Sequence, residues 1–291
     1  MKKLNKRLMA ILLATILVTS PVLADATVGD SIISIGADLT EDQKSKVIKE
    51  LDAENSQLIE VTNAEEHKYL GSYIPAGKIG STALSNAKVT LTEKGSGINV
   101  KVSDNINYIT PEMYRNALIT AGITDADVEV TALTSVTGTG ALTGIMKAYE
   151  TITGKVIPED VKQVANEEMV VTFDLNEQLD NEETAKMLND IKATFAKQMP
   201  ETKEEAKTII VNISNQYNIN LTDEQVDQIA DLLMKMKNVN IDWNAVSETA
   251  SKYIGKARDY FQSEKGQETL KQTGNFLQRF FYWIASLFNK E

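Results

Sequence analysis

Apolar residues recur at two periods along this chain. Short alternating runs mix with helically spaced ones as far as residue 155, and from Pro158 onward helical spacing takes over. The clearest unit is residues 121–153. Val128, Val130 and Ala132 alternate as in a half-buried strand, VTGTGALTG makes a sharp connection, and Leu142, Ile145, Met146 and Tyr149 follow at helical spacing.

Upstream of that unit, residues 30–36 predict a strand. Thr40 with Gln43 forms a capping box, and Val47, Ile48 and Leu51 give the helix it opens a buried face. Residues 58–61 predict a second strand. Asn63-Ala64-Glu65-Glu66 reads as another capping box, opening a short helix with His67, Tyr69 and Leu70 that Gly71 stops. Val89 and Leu91 match Ile98, Val100 and Val102 across Glu93-Lys94-Gly95-Ser96-Gly97, which predicts a hairpin. Thr110-Pro111-Glu112 starts a helix with proline at its first position and Ile109 placed to staple onto Tyr114. Residues 39–61 and 109–130 echo each other, each running capped helix, short turn, alternating strand. Two copies make a repeated supersecondary unit, too few for a solenoid.

Past Pro158 the apolar faces are helical: Val161, Val164, Ala165 and Met169; Met187, Leu188, Ile191 and Phe195; Ile209, Ile210, Ile213 and Tyr217. Leu221-Thr222-Asp223-Glu224-Gln225 is a capping box, followed by Val226, Ile229, Leu233 and Met236, and later by Val246, Ala250, Tyr253, Ile254 and Ala257. Residues 170–175 fit a strand or a helix. The expected class is α+β (mixed α/β): an N-terminal mixed sheet with helices over 25–155 and a helical region over 156–262, divided where Gly154 and Pro158 lie between the two patterns.

The last segment, 263–291, predicts an amphipathic aromatic-rich helix. Phe281, Ile284 and Phe288 fall on one apolar stripe, with Phe276, Phe280, Trp283 and Leu287 on a second beside it. These seven residues form a candidate docking element, for the protein's own core or for a membrane surface, cell wall or second copy of the chain. The dense part, residues 276–288, is too short to span a bilayer.

Composition narrows the compartment and the partners. The chain has 291 residues, 42% of them hydrophobic, enough to bury real cores. Lys2, Lys3, Lys6 and Arg7 precede an apolar run over 8–18 and small residues near Ala24, the pattern of a cleavable signal peptide over 1–24. Without those four cations the formal charge of −11 becomes −15. So acidic a protein repels phosphate backbones, and nucleic acid is not an expected partner. With no cysteine, neither a disulfide framework nor a lipid-bearing cysteine exists.

Few residues offer chemistry. The loop Gly138-Thr139-Gly140-Ala141-Leu142-Thr143-Gly144 links a strand to a helix, where glycine loops can cradle phosphates, but its last glycine is one residue late for a dinucleotide loop and no Gly-Lys-Ser/Thr follows. A tight turn with close helix packing accounts for the same glycines. Ser85-Asn86-Ala87-Lys88 and Ser103-Asp104-Asn105 match two motifs of penicillin-binding proteins, yet the serine leads into a strand and a Lys-Thr-Gly strand is missing. His67 is the only histidine, so zinc sites of the usual kind are excluded and any histidine-based catalysis would run through it alone. No catalytic, cofactor-binding or metal residue is assigned, and no cofactor is expected.

Val28-Gly29-Asp30 through Leu39, the helix holding Glu65 to Gly71, Lys94-Gly95-Ser96-Gly97-Ile98-Asn99-Val100, and Asn116-Ala117-Leu118-Ile119-Thr120-Ala121-Gly122 through Tyr149 and Glu150 resemble the YpuA-like secreted proteins. These are grouped as domain-of-unknown-function family 1002. The resemblance spans the whole mature chain and implies an exported protein with no activity to carry over. The expected role is a non-catalytic, envelope-associated binding or scaffold module. The alternative is an extracellular carboxylate-dependent enzyme acting on cell-wall glycans, signalled by an acid pair about 5 or 9 Å apart in a cleft.

Overall fold

The computed structural model describes residues 26–179 and 183–253. Five strands form one mixed sheet: β1 (Ser31–Gly36), β2 (Gln57–Val61), β3 (Asn86–Leu91), β4 (Ile98–Val102) and β5 (Ala126–Thr131). Their order is β2-β1-β3-β5-β4. The fold is α+β, as the pattern predicts. The expected hairpin is corrected: β3 and β4 do not pair, because β5 lies between them, antiparallel to β3 and parallel to β4. Alternation places Val89 and Val100 on one face but cannot say which strand stands between them. Asp125, just before β5, is bonded to the β3–β4 connection. Its Oδ1 accepts from the backbone N–H of Gly95 (2.9 Å) and Gly97 (2.8 Å), holding the connection against the start of β5. Both glycines have φ near +90°, which favours residues without a Cβ.

The echoed stretches are two β-α-β units. β1 and β2 are parallel and joined by α1 (Glu41–Glu50); β4 and β5 are parallel and joined by α4 (Pro111–Thr120). Thr40 caps α1 in a full capping box, and Thr110 caps α4, with Pro111 in the first turn. The two helices lie on opposite faces. Val47 and Leu51 pack with Ile33 and Ile35, while Met113 and Leu118 join Ile32, Val89, Val100 and Val128. Both units step the same way along the sheet with strands in the same sense, so they have opposite hands. One of them therefore departs from the strong right-handed preference of such crossovers.

α5 (Ala141–Thr153) lies on the α4 face, where Gly144 lets it close on Ser34 and Val61; a Cβ there would collide with Ser34 and crowd Val61. It ends at Gly154 in the left-handed conformation. The chain then turns helical. α6 (Glu159–Leu179) absorbs residues 170–175 as helix, followed by α7 (Thr184–Gln198), α8 (Lys203–Gln216), α9 (Asp223–Lys237) and α10 (Trp243–Ser251). One apolar core runs from the sheet through α4 into these helices. At its centre Lys192 Nζ, fully buried, reaches Glu168 (2.7 Å), the Asn116 carbonyl (2.6 Å) and the Thr120 hydroxyl (3.0 Å), tying α7, α6 and α4 together. Every donor of that ammonium has an acceptor, the condition under which a buried charge is tolerable. Past α10, the Tyr253 hydroxyl donates to the Ile98 carbonyl and accepts from its N–H, blocking that stretch of the β4 edge.

Candidate functional site

The glycine loop and the α2 helix (Asn63–Leu70) meet at the start of α5. The cap of α2 is Thr62, closing its box with Glu65, one residue earlier than the Asn63/Glu66 box expected from the sequence. Both registers satisfy the same rule, and tertiary packing selects one, because the shift turns Glu66 inward. Glu66 is 4% exposed, and its carboxyl lies against Gly140, where a Cβ would collide with it. Burial pushes the Glu66 pKa up to about 7, against the smaller opposing effects of the Asn63 amide and His67. The Tyr114 hydroxyl donates to the Gly138 carbonyl (2.5 Å), and Gly138 has φ +90°. These glycines permit close approach. A phosphate at this helix start would have to displace the chain's own carboxyl, so the arrangement favours the turn and not a phosphate cradle.

The other sequence candidates are held in structural bonds. His67 Nε2 donates to the Gly80 carbonyl (2.9 Å). Lys88 Nζ donates to the Leu51 and Asp52 carbonyls at the end of α1 (2.8 and 3.0 Å), where a cation also suits the helix dipole. Asn86 spans the Gly36 N–H and the Leu84 carbonyl, and Ser103 accepts from Thr131. No serine–lysine pair is assembled from these motifs. Among the described residues, no group of three or more His, Cys, Asp or Glu could hold a metal ion, and no helix is long and apolar enough to cross a membrane. The signal-peptide segment 1–24 and the docking candidates Phe276, Phe280, Phe281, Trp283, Ile284, Leu287 and Phe288 lie outside the described residues.

The site the structure does present is a cavity of about 510 Å³, within the ordinary range for small-ligand pockets. Three loops and one helix wall it: Tyr73, Ile74 and Pro75 between α2 and the short α3 (Ala76–Ile79); Tyr108 and Ile109 before α4; Thr137 and Thr139 of the glycine loop; and Val170, Phe173, Asp174 and Glu177 along α6. Tyr108 and Phe173 meet edge to face, 5.4 Å between centroids at 87°. Burial and the neighbouring Glu167 carboxylate raise the Tyr73 pKa above its usual range. Among the described lining residues the only formal charges are those of Asp174 and Glu177, and there is no Lys, Arg or His. These two acids stand one turn apart on a single helix, side by side on one wall.

Sequence reasoning missed this site. The signal was slight: proline restricts only the residue just ahead of it, Ile74 before Pro75 and Thr110 before Pro111, and of these two Ile74 lines the cavity. Phe173 carried none, since its stretch fitted either period.

A family model described as "Protein of unknown function (DUF1002)" matches residues 35–253. The chain is 42% identical over 290 residues to "Uncharacterized protein YpuA" of Bacillus subtilis (strain 168), covering 99% of this chain and 100% of that protein. No solved structure matches.

Proposed function

The chain belongs to the DUF1002 family, and from that premise we propose that it is an exported, non-catalytic binding module of the cell envelope whose ligand site is the cavity between α6 and the glycine loop. The observation that carries the reading is the lining. Rings, apolar side chains and two threonine hydroxyls surround a space of about 510 Å³, and its two carboxylates stand on one helix. A carboxylate enzyme acting on glycans fits less well. Its two acids flank the scissile bond, whereas Asp174 and Glu177 share one wall.

The test is to incubate the intact chain with a small-molecule extract of the envelope of cells that make it. The expected result is a higher Tm that Tyr108→Leu abolishes, with the bound species recovered chemically unchanged by mass spectrometry. Conversion of that species, or no stabilisation by any fraction, overturns the reading.

A further inference from the structure

We propose that the free edge of β2 is a docking site for an extended segment of another protein, one that presents an apolar residue and a lysine or arginine two positions apart on one face. No residue of β2 lines the cavity, so the two sites stand or fall separately.

The first observation is an unfinished hydrogen-bond ladder. β2 ends the sheet and pairs on one side only, with β1. The Val61 carbonyl accepts from the Ala37 N–H just past β1 (2.8 Å), so Gln57, Ile59 and Val61 turn their backbone groups toward β1, and Leu58 and Glu60 turn theirs outward. Lys147 Nζ closes the end of that outer row by donating to the Glu60 carbonyl (2.8 Å). Among the described residues, nothing bonds the Leu58 N–H, the Leu58 carbonyl or the Glu60 N–H. Leu58 itself is 40% exposed, so an incoming strand can reach these groups. The β4 edge differs, because the Tyr253 hydroxyl already fills both backbone groups of Ile98.

The second observation is what stands beside the open groups. Leu58 and Glu60 are two residues apart and share one face of the sheet. An added strand therefore sets alternate residues of its own next to them, an apolar side chain by Leu58 and a charge by Glu60.

The third is the sign of that charge. Lys44 is shared between Glu60 (2.7 Å) and Glu41 (3.1 Å), one ammonium for two carboxylates, and the Glu60 side chain is 48% exposed. Glu54, exposed just ahead of β2, adds a further acid, and the chain as a whole carries −11. A cationic strand is drawn to this edge, whereas an acidic strand or a second copy of the chain meets like charge. Backbone bonds hold the partner, and the apolar and cationic side chains select it.

The experiment is an NMR titration of the isotope-labelled intact chain with the end-blocked peptide Thr-Val-Thr-Lys-Thr-Thr, following the backbone N–H signals of Leu58 and Glu60. Two control peptides accompany it, one with glutamate in place of the lysine and one N-methylated throughout, which has no backbone donors. Saturable shifts at both residues with Kd at or below about 5 mM are expected. Each control should bind at least about fivefold more weakly. Glu60→Lys should leave circular dichroism unchanged and reverse the preference, so that the glutamate peptide binds better. The inference is overturned by the absence of saturable shifts at Leu58 and Glu60, by equal binding of either control, or by a preference that Glu60→Lys leaves as it was. Shifts at those residues that grow with protein concentration alone, with dimers in sedimentation, would give the edge to a second copy and overturn it as well.

Discussion

α1 and α4 begin alike and end differently. Each is a ten-residue helix with a threonine cap and an acidic first turn, bridging two parallel strands. Val47 is the one buried residue of α1, while seven residues of α4 are buried, from Met113 to Thr120. The difference comes from what lies beyond each helix. α1 faces water, with Lys46 and Asp42 pairing at 2.7 Å on its exposed side. α4 is enclosed by α6, α7 and α10, and its polar groups find partners there: Asn116 donates to the Ala185 carbonyl (2.8 Å), and Thr120 bonds Glu168 (2.5 Å). A capped β-α-β unit is thus a local module, and its share of the stability depends on its cover.

The sharpest break of that comparison lies at Lys192. Replacing it with Met strands Glu168 in the core and should cost about 3–5 kcal/mol in urea unfolding. Adding Glu168→Gln should return much of the loss, and Lys46→Met on α1 should change stability by no more than about 0.5 kcal/mol. Equal costs at Lys192 and Lys46 would end the distinction.

Next come apolar truncations. Leu118→Ala in α4 should cost about 2–5 kcal/mol, and Ile48→Ala, from a partly buried position in α1, less than about half of that. Matching losses by thermal or chemical unfolding would show that the cover adds nothing.

A third test uses pH. Glu66, on the covered face, has its folded pKa raised from 4.5 to about 7 by burial. Between those values the folded state binds more protons than the unfolded one, so this group's stabilisation is fully present below pH 4.5 and is lost as pH rises through 7. The change should be about 3 kcal/mol. Glu66→Gln should flatten that part of the stability–pH curve; an unchanged slope would mean that the carboxyl does not govern it.

The smallest expected effect sharpens the similarity. Thr40→Ala and Thr110→Ala should each cost about 1 kcal/mol, because a cap satisfies one local N–H whatever lies on the far side of the helix. A several-fold difference between the two would make capping as dependent on context as burial.

The sequence by itself determined the class of fold, both capped units, the helical second half and the family. The family follows from a resemblance in motifs; the rest follow from short-range rules: alternation, helical spacing, a capping box at Thr40 and a threonine ahead of proline at Thr110. The candidate site was legible only in part. Its glycine loop stood out, while the tyrosines and Phe173 of the cavity carried no local pattern that marked them. Tertiary structure alone decided the rest. It inserted β5 between β3 and β4, set the α2 cap at Thr62 and so buried Glu66, made residues 170–175 helix and placed Phe173 against Tyr108. In each case two local solutions satisfy the same pattern, and the observed one is held by partners distant in the chain: β5 between β3 and β4 for the sheet order, Gly140 beside Glu66, the core against α4 and α9 for α6.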